Sequence, residues 1–152
     1  MKSIINDIPV TPQDWNKNPK GYVKHQRLLV RLVTYLESMG VESVLPEDRG
    51  EWDRGVDLIT RDTRIDLKSF GVDHYGNSYT WSSPHFQGRP APLYRGTETD
   101  WFVHATEGPV SEWVCGRRSG LRTSKYNFAP YYFSKDCMTV GELAQGWFTR
   151  AA

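Results

Sequence analysis

The stretch RGVDLITRDTRIDLKSF, Arg54 to Phe70, decides how this chain is read. It holds two short runs rich in Val, Ile and Thr, residues 55–60 and 63–70, separated by Arg61-Asp62. Charged side chains fall at alternate positions in the second run, the period of a strand with one wet or functional face. A two-residue turn at Arg61-Asp62 sets Thr60 against Thr63 and Leu58 against Ile65, and the register predicts Asp57 opposite Asp66. Arg-Asp is not a favoured two-residue turn, but a four-residue loop from Thr60 to Thr63 keeps the same pairing. Because side chains alternate along a strand, Asp57, Asp66 and Lys68 are expected on one face and Leu58, Ile65 and Leu67 on the other. Opposed residues bring their Cβ atoms to roughly 4.5–5.5 Å, so two facing carboxylates repel unless a cation lies between them. A divalent metal with a lysine beside it supplies that cation, which is the arrangement a metal-dependent phosphodiesterase needs.

Upstream of the hairpin, residues 24–39 (KHQRLLVRLVTYLESM) read as a helix stopped by Gly40. Leu28, Leu29, Leu32, Tyr35, Leu36 and Met39 share one face at 100° per residue, and Lys24, Arg27, Arg31, Thr34 and Ser38 the other. His25 lies on the apolar face one turn before the leucines, with Gln26 at its margin. Asn18-Pro19 is a start signal for this helix or the turn before it. Residues 1–18 form a polar, proline-punctuated extension in which Thr11-Pro12 opens a helical turn. Residues 41–45 read as a short strand and 46–53 as a charged loop.

Asp57, eight intervening residues, and then Asp66-Leu67-Lys68 resemble the PD-(D/E)xK nuclease superfamily. The Gly-Val-Asp-Leu-Ile phrase is most similar to its Holliday-junction-resolvase and restriction-endonuclease-like branches. The resemblance covers residues 24–70. It implies an α/β (α+β) fold with a restriction-endonuclease-like core, a central mixed β-sheet flanked by helices. It further implies a hydrolase, a DNA endonuclease in the first instance, with Mg²⁺ or Mn²⁺ held by Asp57, Asp66 and the Leu67 carbonyl. Mg²⁺ favours oxygen ligands and retains water, and such an ion polarises a phosphoryl group and acidifies bound water. Lys68 then orients the attacking water and offsets charge on the phosphate. The chain departs from the pattern on the first helix, where the family often places a Glu facing the site. His25 and Gln26 stand there instead and are the candidates to contact the metal or its water. Glu37 is at the wrong end of the helix, and Glu47, Glu51 or Asp53 could supply the acid from the loop. The departure keeps a second expectation open: a catalytically inactive protein of this fold that binds nucleic acid or inhibits a protein partner.

After Phe70 the pattern thins. Residues 75–81 suggest a strand, 82–99 a proline-rich loop with Gln87 as a site-facing candidate, and 100–105 and 110–115 two further strands. Gly116 to Lys125 reads as a basic loop whose Arg117, Arg118, Arg122 and Lys125 would touch phosphates, a salt-sensitive and sequence-independent contact. Trp81, Phe86, Tyr126 and Tyr131 are candidates to stack on unpaired bases. Residues 131–133 suggest another strand, and Thr139-x-x-Glu142 a capping box that opens a last helix ending near Gly146.

The 152 residues are expected to form one domain, with a formal charge of +1 and a mean hydropathy of −0.60. No global field draws such a chain to nucleic acid, so binding must come from a local patch. No apolar run reaches membrane-spanning length, and the opening residues lack a signal-peptide core. With two cysteines, Cys115 and Cys137, the reading is a reduced, cytoplasmic protein. His85, His104, Cys115 and Cys137 lack zinc-ligand spacing. The resemblance and the small size fit a phage setting and allow a homodimer.

Overall fold

The computed structural model describes residues 1–10, 19–47, 56–61, 63–68, 70–72, 78–80, 85–86, 89–90, 100–105, 108–117, 121–122, 132–133 and 138–151. A helix, α1 (Pro19–Ser38), precedes three short strands, β1 (Ser43–Val44), β2 (Leu58–Thr60) and β3 (Thr63–Lys68). β4 (Phe70–Val72) pairs with β5 (Ser78–Thr80), and β6 (His85–Phe86) with β7 (Arg89–Pro90). The main sheet resumes with β8 (Trp101–His104) and β9 (Val114–Arg117). β10 (Leu121–Arg122) pairs with β11 (Tyr132–Phe133), and β12 (Met138–Thr139) leads into a closing helix, α2 (Val140–Ala151). The six-stranded sheet runs β1-β2-β3-β8-β9-β12. β1, β2 and β3 form an antiparallel meander, β8 lies parallel to β3, and β9 and β12 return antiparallel. The fold is therefore a mixed sheet with helices, of the α+β class, and β2 and β3 are interior strands.

Helix α1 forms where proline and the leucine periodicity meet. Pro19 occupies its first residue, where a missing N–H costs nothing. Its end is a Schellman motif: Val41 N donates to Leu36 O at 2.9 Å and Gly40 N to Glu37 O at 3.0 Å. Gly40 takes φ of 76°, the left-handed conformation that glycine adopts without strain. Leu28, Leu29, Leu32, Val33 and Leu36 are buried, and they share one core with Leu58, Ile65, Leu67, Val103 and Cys115 from the sheet. Burial of each such side chain contributes about 1.5–3 kcal/mol. Tyr35 and Met39 pack at the margin.

Helix α2 joins the same core through Val140, Leu143 and Ala144. Its capping box is complete: Glu142 N donates to Thr139 Oγ1 at 3.1 Å, and Thr139 N to Glu142 Oε1 at 3.3 Å. The helix continues past Gly146, the expected end, to Ala151. The strand expected over residues 110–115 is instead a 3₁₀ turn, Val110–Glu112, followed by β9. Pro109 and Val110 supply the carbonyls for that turn, and the buried Trp113 anchors it by donating Nε1–H to Gly108 O at 3.2 Å. Arg31 of α1 lies over the Trp113 ring, 5.2 Å from its centre, and also donates to Gly108 O at 3.3 Å.

The N-terminal residues pack along α1. Ser3 Oγ donates to Glu37 Oε2 at 2.8 Å and Ile4 N to Glu37 Oε1 at 3.1 Å. A 3₁₀ turn, Ile5–Asp7, follows, and Ile8 enters the core. The strap ends at Pro9, whose carbonyl accepts from Gln26 Nε2 at 2.9 Å near the start of the helix. The expected helical turn at Thr11-Pro12 lies outside the described residues. Among the described residues, no helix is long and apolar enough to cross a membrane.

Candidate functional site

The hairpin closes with the expected register, Thr60 against Thr63 and Leu58 against Ile65, around a two-residue turn. Arg61 meets the poor turn chemistry by taking φ of 53°, the left-handed region that two-residue hairpins require. The register then changes. Asp57 N donates to Ile65 O at 2.8 Å, although Ile65 already pairs with Leu58. Two residues of one strand thus stand opposite one of the other, which is a β-bulge, and a bulge re-aims the side chain it carries. The expected face-to-face pairing of Asp57 with Asp66 is therefore not the register of this hairpin.

Instead, the Asp57 carboxylate turns into the ladder. Its Oδ2 accepts from Leu67 N at 2.8 Å, replacing the backbone carbonyl that an unbroken ladder would offer. His25 Nε2 lies 3.4 Å from the same Oδ2 and 2.8 Å from Leu67 O. His25 Nδ1 is 3.1 Å from Gln26 Oε1. The side chains of His25 and Asp57 are 23% and 18% exposed, while Gln26 is 2% exposed.

These contacts fix the protons on the ring. Pro9 O can only accept, so the Gln26 NH₂ group faces it and the amide oxygen faces His25. Nδ1 must then donate. Leu67 O can only accept as well, so Nε2 must also donate. A histidine that donates from both nitrogens is an imidazolium. Burial alone would push its pKa down, but the Asp57 charge, the Asp57 hydrogen bond and the bonds to Leu67 O and Gln26 outweigh that. The result is a rise from 6.5 to about 9.

Asp66 is 3% exposed and lies between Ile65 and Leu67 on β3, directly beside Phe102 of β8. By strand alternation it faces away from the α1 side, to which Ile65 and Leu67 point. Lys68 pairs with His104, a buried histidine. His25 and Asp57 therefore come together, with Gln26 behind the ring. The single face expected for Asp57, Asp66 and Lys68 is not what the hairpin builds: the bulge turns Asp57 to the α1 side, while Asp66 faces away from it. Arg117 ends β9 and Arg122 ends β10, so the expected basic loop is partly strand. Arg118, Lys125, Gln87, Glu51, Asp53, Trp81, Tyr126, Tyr131 and Cys137 lie outside the described residues. Glu47 is exposed, and Glu37 is held by the N-terminal strap.

The oxygens Asp57 Oδ2 and Leu67 O converge on one cationic atom, the protonated His25 Nε2. Two hard oxygens aimed at one cation have the donor chemistry of a Mg²⁺ site that keeps most of its waters. The imidazolium fills that cation position, so an ion could enter it only if the ring withdrew. Among the described residues, no three His, Cys, Asp or Glu side chains gather closely enough to hold a metal.

Comparison with family models, curated proteins and solved structures finds no match. The site stands on its own geometry.

Sequence reasoning singled out His25, Gln26 and Asp57 but missed two backbone participants, the Pro9 carbonyl and the Leu67 amide. Backbone groups leave no compositional signal. It weighed His104 only as a zinc ligand and did not place it beside Lys68.

Proposed function

We propose that this chain is a metal-dependent nuclease with a restriction-endonuclease-like core, hydrolysing phosphodiester bonds in DNA. The observation that carries the reading is the convergence of Asp57 Oδ2 and Leu67 O on a single cation position at the hairpin, roofed by the preceding helix. A helix, an antiparallel meander and a strand parallel to β3 are in keeping with that core. Asp57 and the Leu67 carbonyl would hold Mg²⁺ or Mn²⁺, whereas Asp66, the second carboxylate of the motif, faces away from them on β3. A bound divalent ion supplies Lewis acidity toward the phosphoryl oxygen and acidifies water. Once the ring withdraws from Leu67 O and Asp57, the His25 Nε2 proton would be free for a phosphate or leaving oxygen. On the motif alone, Lys68 would add positive charge toward the phosphate.

One observation favours a second reading. The imidazolium already neutralises Asp57, so the pocket is balanced without an ion. That suits a non-catalytic nucleic-acid binder or inhibitor built on the same core. The test is cleavage of single-stranded, duplex and branched DNA and of RNA with Mg²⁺ or Mn²⁺, beside Asp66→Asn and Lys68→Ala. Cleavage lost in both variants and in EDTA supports the nuclease. Folded wild type that cuts nothing and gains no melting temperature with metal moves the assignment to the binder.

A further inference from the structure

The whole chain carries a formal charge of +1, yet α1 concentrates cations. Its 20 residues include Lys20, Lys24, Arg27 and Arg31 against a single acid, Glu37, a formal +3. The other residues are therefore net negative, at −2. Lys24, Arg27 and Arg31 are all exposed and stand three and four residues apart, so they form one line along the outer face. The line is about 10 Å long at about 1.5 Å per residue. The single acid takes no part, because Ser3 Oγ and Ile4 N hold its carboxylate.

The placement of these charges opposes helix stability. A helix favours acids in its first turn and bases in its last. Here the first turn has no acid, the last turn has no base, and the only acid sits near the C-terminal end. Optimisation of the helix for its own stability would have reversed this order. Arg31 is also anchored, by Trp113 below and Gly108 O beside it, so less side-chain entropy is lost when it binds. The line begins at Lys24, next to His25.

We infer that the Lys24–Arg27–Arg31 line is the surface on which a nucleic-acid phosphate backbone lies as it approaches the His25–Asp57 site. This rests on the nucleic-acid half of the proposed function and is independent of catalysis. Contacts of this kind position the strand and carry no sequence information.

The experiment is fluorescence anisotropy of a short labelled DNA duplex, and of its single strand, in EDTA, so that no cleavage is involved. Each phosphate contact in duplex DNA contributes about 0.9 to the slope of log K against log salt. Lys24→Gln with Arg27→Gln should lower that slope by about 1.8 and weaken binding about eightfold per residue at about 0.1 M salt. Arg27→Lys should keep the wild-type slope. A charge-matched control, Lys2→Gln with Arg61→Asn, alters exposed cations away from the line and should bind as wild type does. Circular dichroism checks that each variant is folded. An unchanged slope in the double variant, equal weakening by the control, or no binding by wild type to either probe overturns the inference. Failure of cleavage alone leaves it standing, and cleavage with unaltered binding removes this surface while sparing the nuclease.

Discussion

Replacing Asp57 with Asn should destabilise the protein at pH 6 and much less at pH 10. Asparagine keeps an oxygen for the Leu67 amide but removes the charge opposite His25. The pKa of the wild-type ring is raised from 6.5 to about 9, so the stabilisation it contributes is complete below about pH 6.5. It is lost as the pH rises through about 9, when the folded ring gives up its proton. At about 1.4 kcal/mol per unit, that interval corresponds to about 3 kcal/mol, an upper value because the ring is 23% exposed. Other groups titrate in the same range, so the informative quantity is the difference between wild type and variant. Urea unfolding of both proteins from pH 6 to pH 10 measures it. The stability gap should be widest at pH 6 and close by about 3 kcal/mol toward pH 10. Thermal melts should follow at roughly 2–4 °C per kcal/mol. A gap that stays flat with pH would refute the imidazolium and the proton assignment made from Pro9, Gln26 and Leu67.

Other substitutions probe single contacts. Gln26→Leu strands the Pro9 carbonyl and His25 Nδ1 and should cost about 1–3 kcal/mol in urea unfolding, while lowering the His25 pKa measured by NMR. Thr139→Ala removes both hydroxyl bonds of the α2 capping box and should cost about 1 kcal/mol, visible as a lower melting temperature. The two glycines of α2 should respond in opposite directions. Gly146→Ala enters open space and should gain about 0.5–1 kcal/mol, whereas at Gly141 a Cβ meets Ser111 O at 3.1 Å and the gain should vanish or reverse.

The parts of the fold that were legible from sequence are those set by local periodicity. Leucine spacing, Pro19 and Gly40 marked α1, and the Val-Ile-Thr runs marked β2 and β3 with their register through Leu58. Thr139 and Glu142 announced the cap of α2. Non-local events were hidden. Alternation predicts Asp57 across from Asp66 only if every residue counts in the ladder, and a one-residue bulge breaks that count without any glycine to betray it. The polar opening residues hid a strap because only Ile8 is buried deeply, and the strap's other anchors are polar: the Glu37 carboxylate and the Pro9 carbonyl. The 110–115 segment carries the Val and Trp residues of a strand, but the Pro109 and Val110 carbonyls turn it before β9 begins. His25 was noted on the apolar face as a candidate. Its charge became readable only once both acceptors were in place.

The bond from Leu67 N to Asp57 Oδ2 makes one backbone amide a reporter of the whole site. In most sheets a ligand can capture a carboxylate without disturbing the strands. Here a ligand that draws the Asp57 carboxylate away from the strand, whether metal, phosphate-bound water or a partner's arginine, also leaves an interior amide without its acceptor. Occupancy is therefore coupled to the hairpin's own cohesion. A single peak in a proton–nitrogen spectrum, and its exchange rate with deuterium, would register binding before any product is formed.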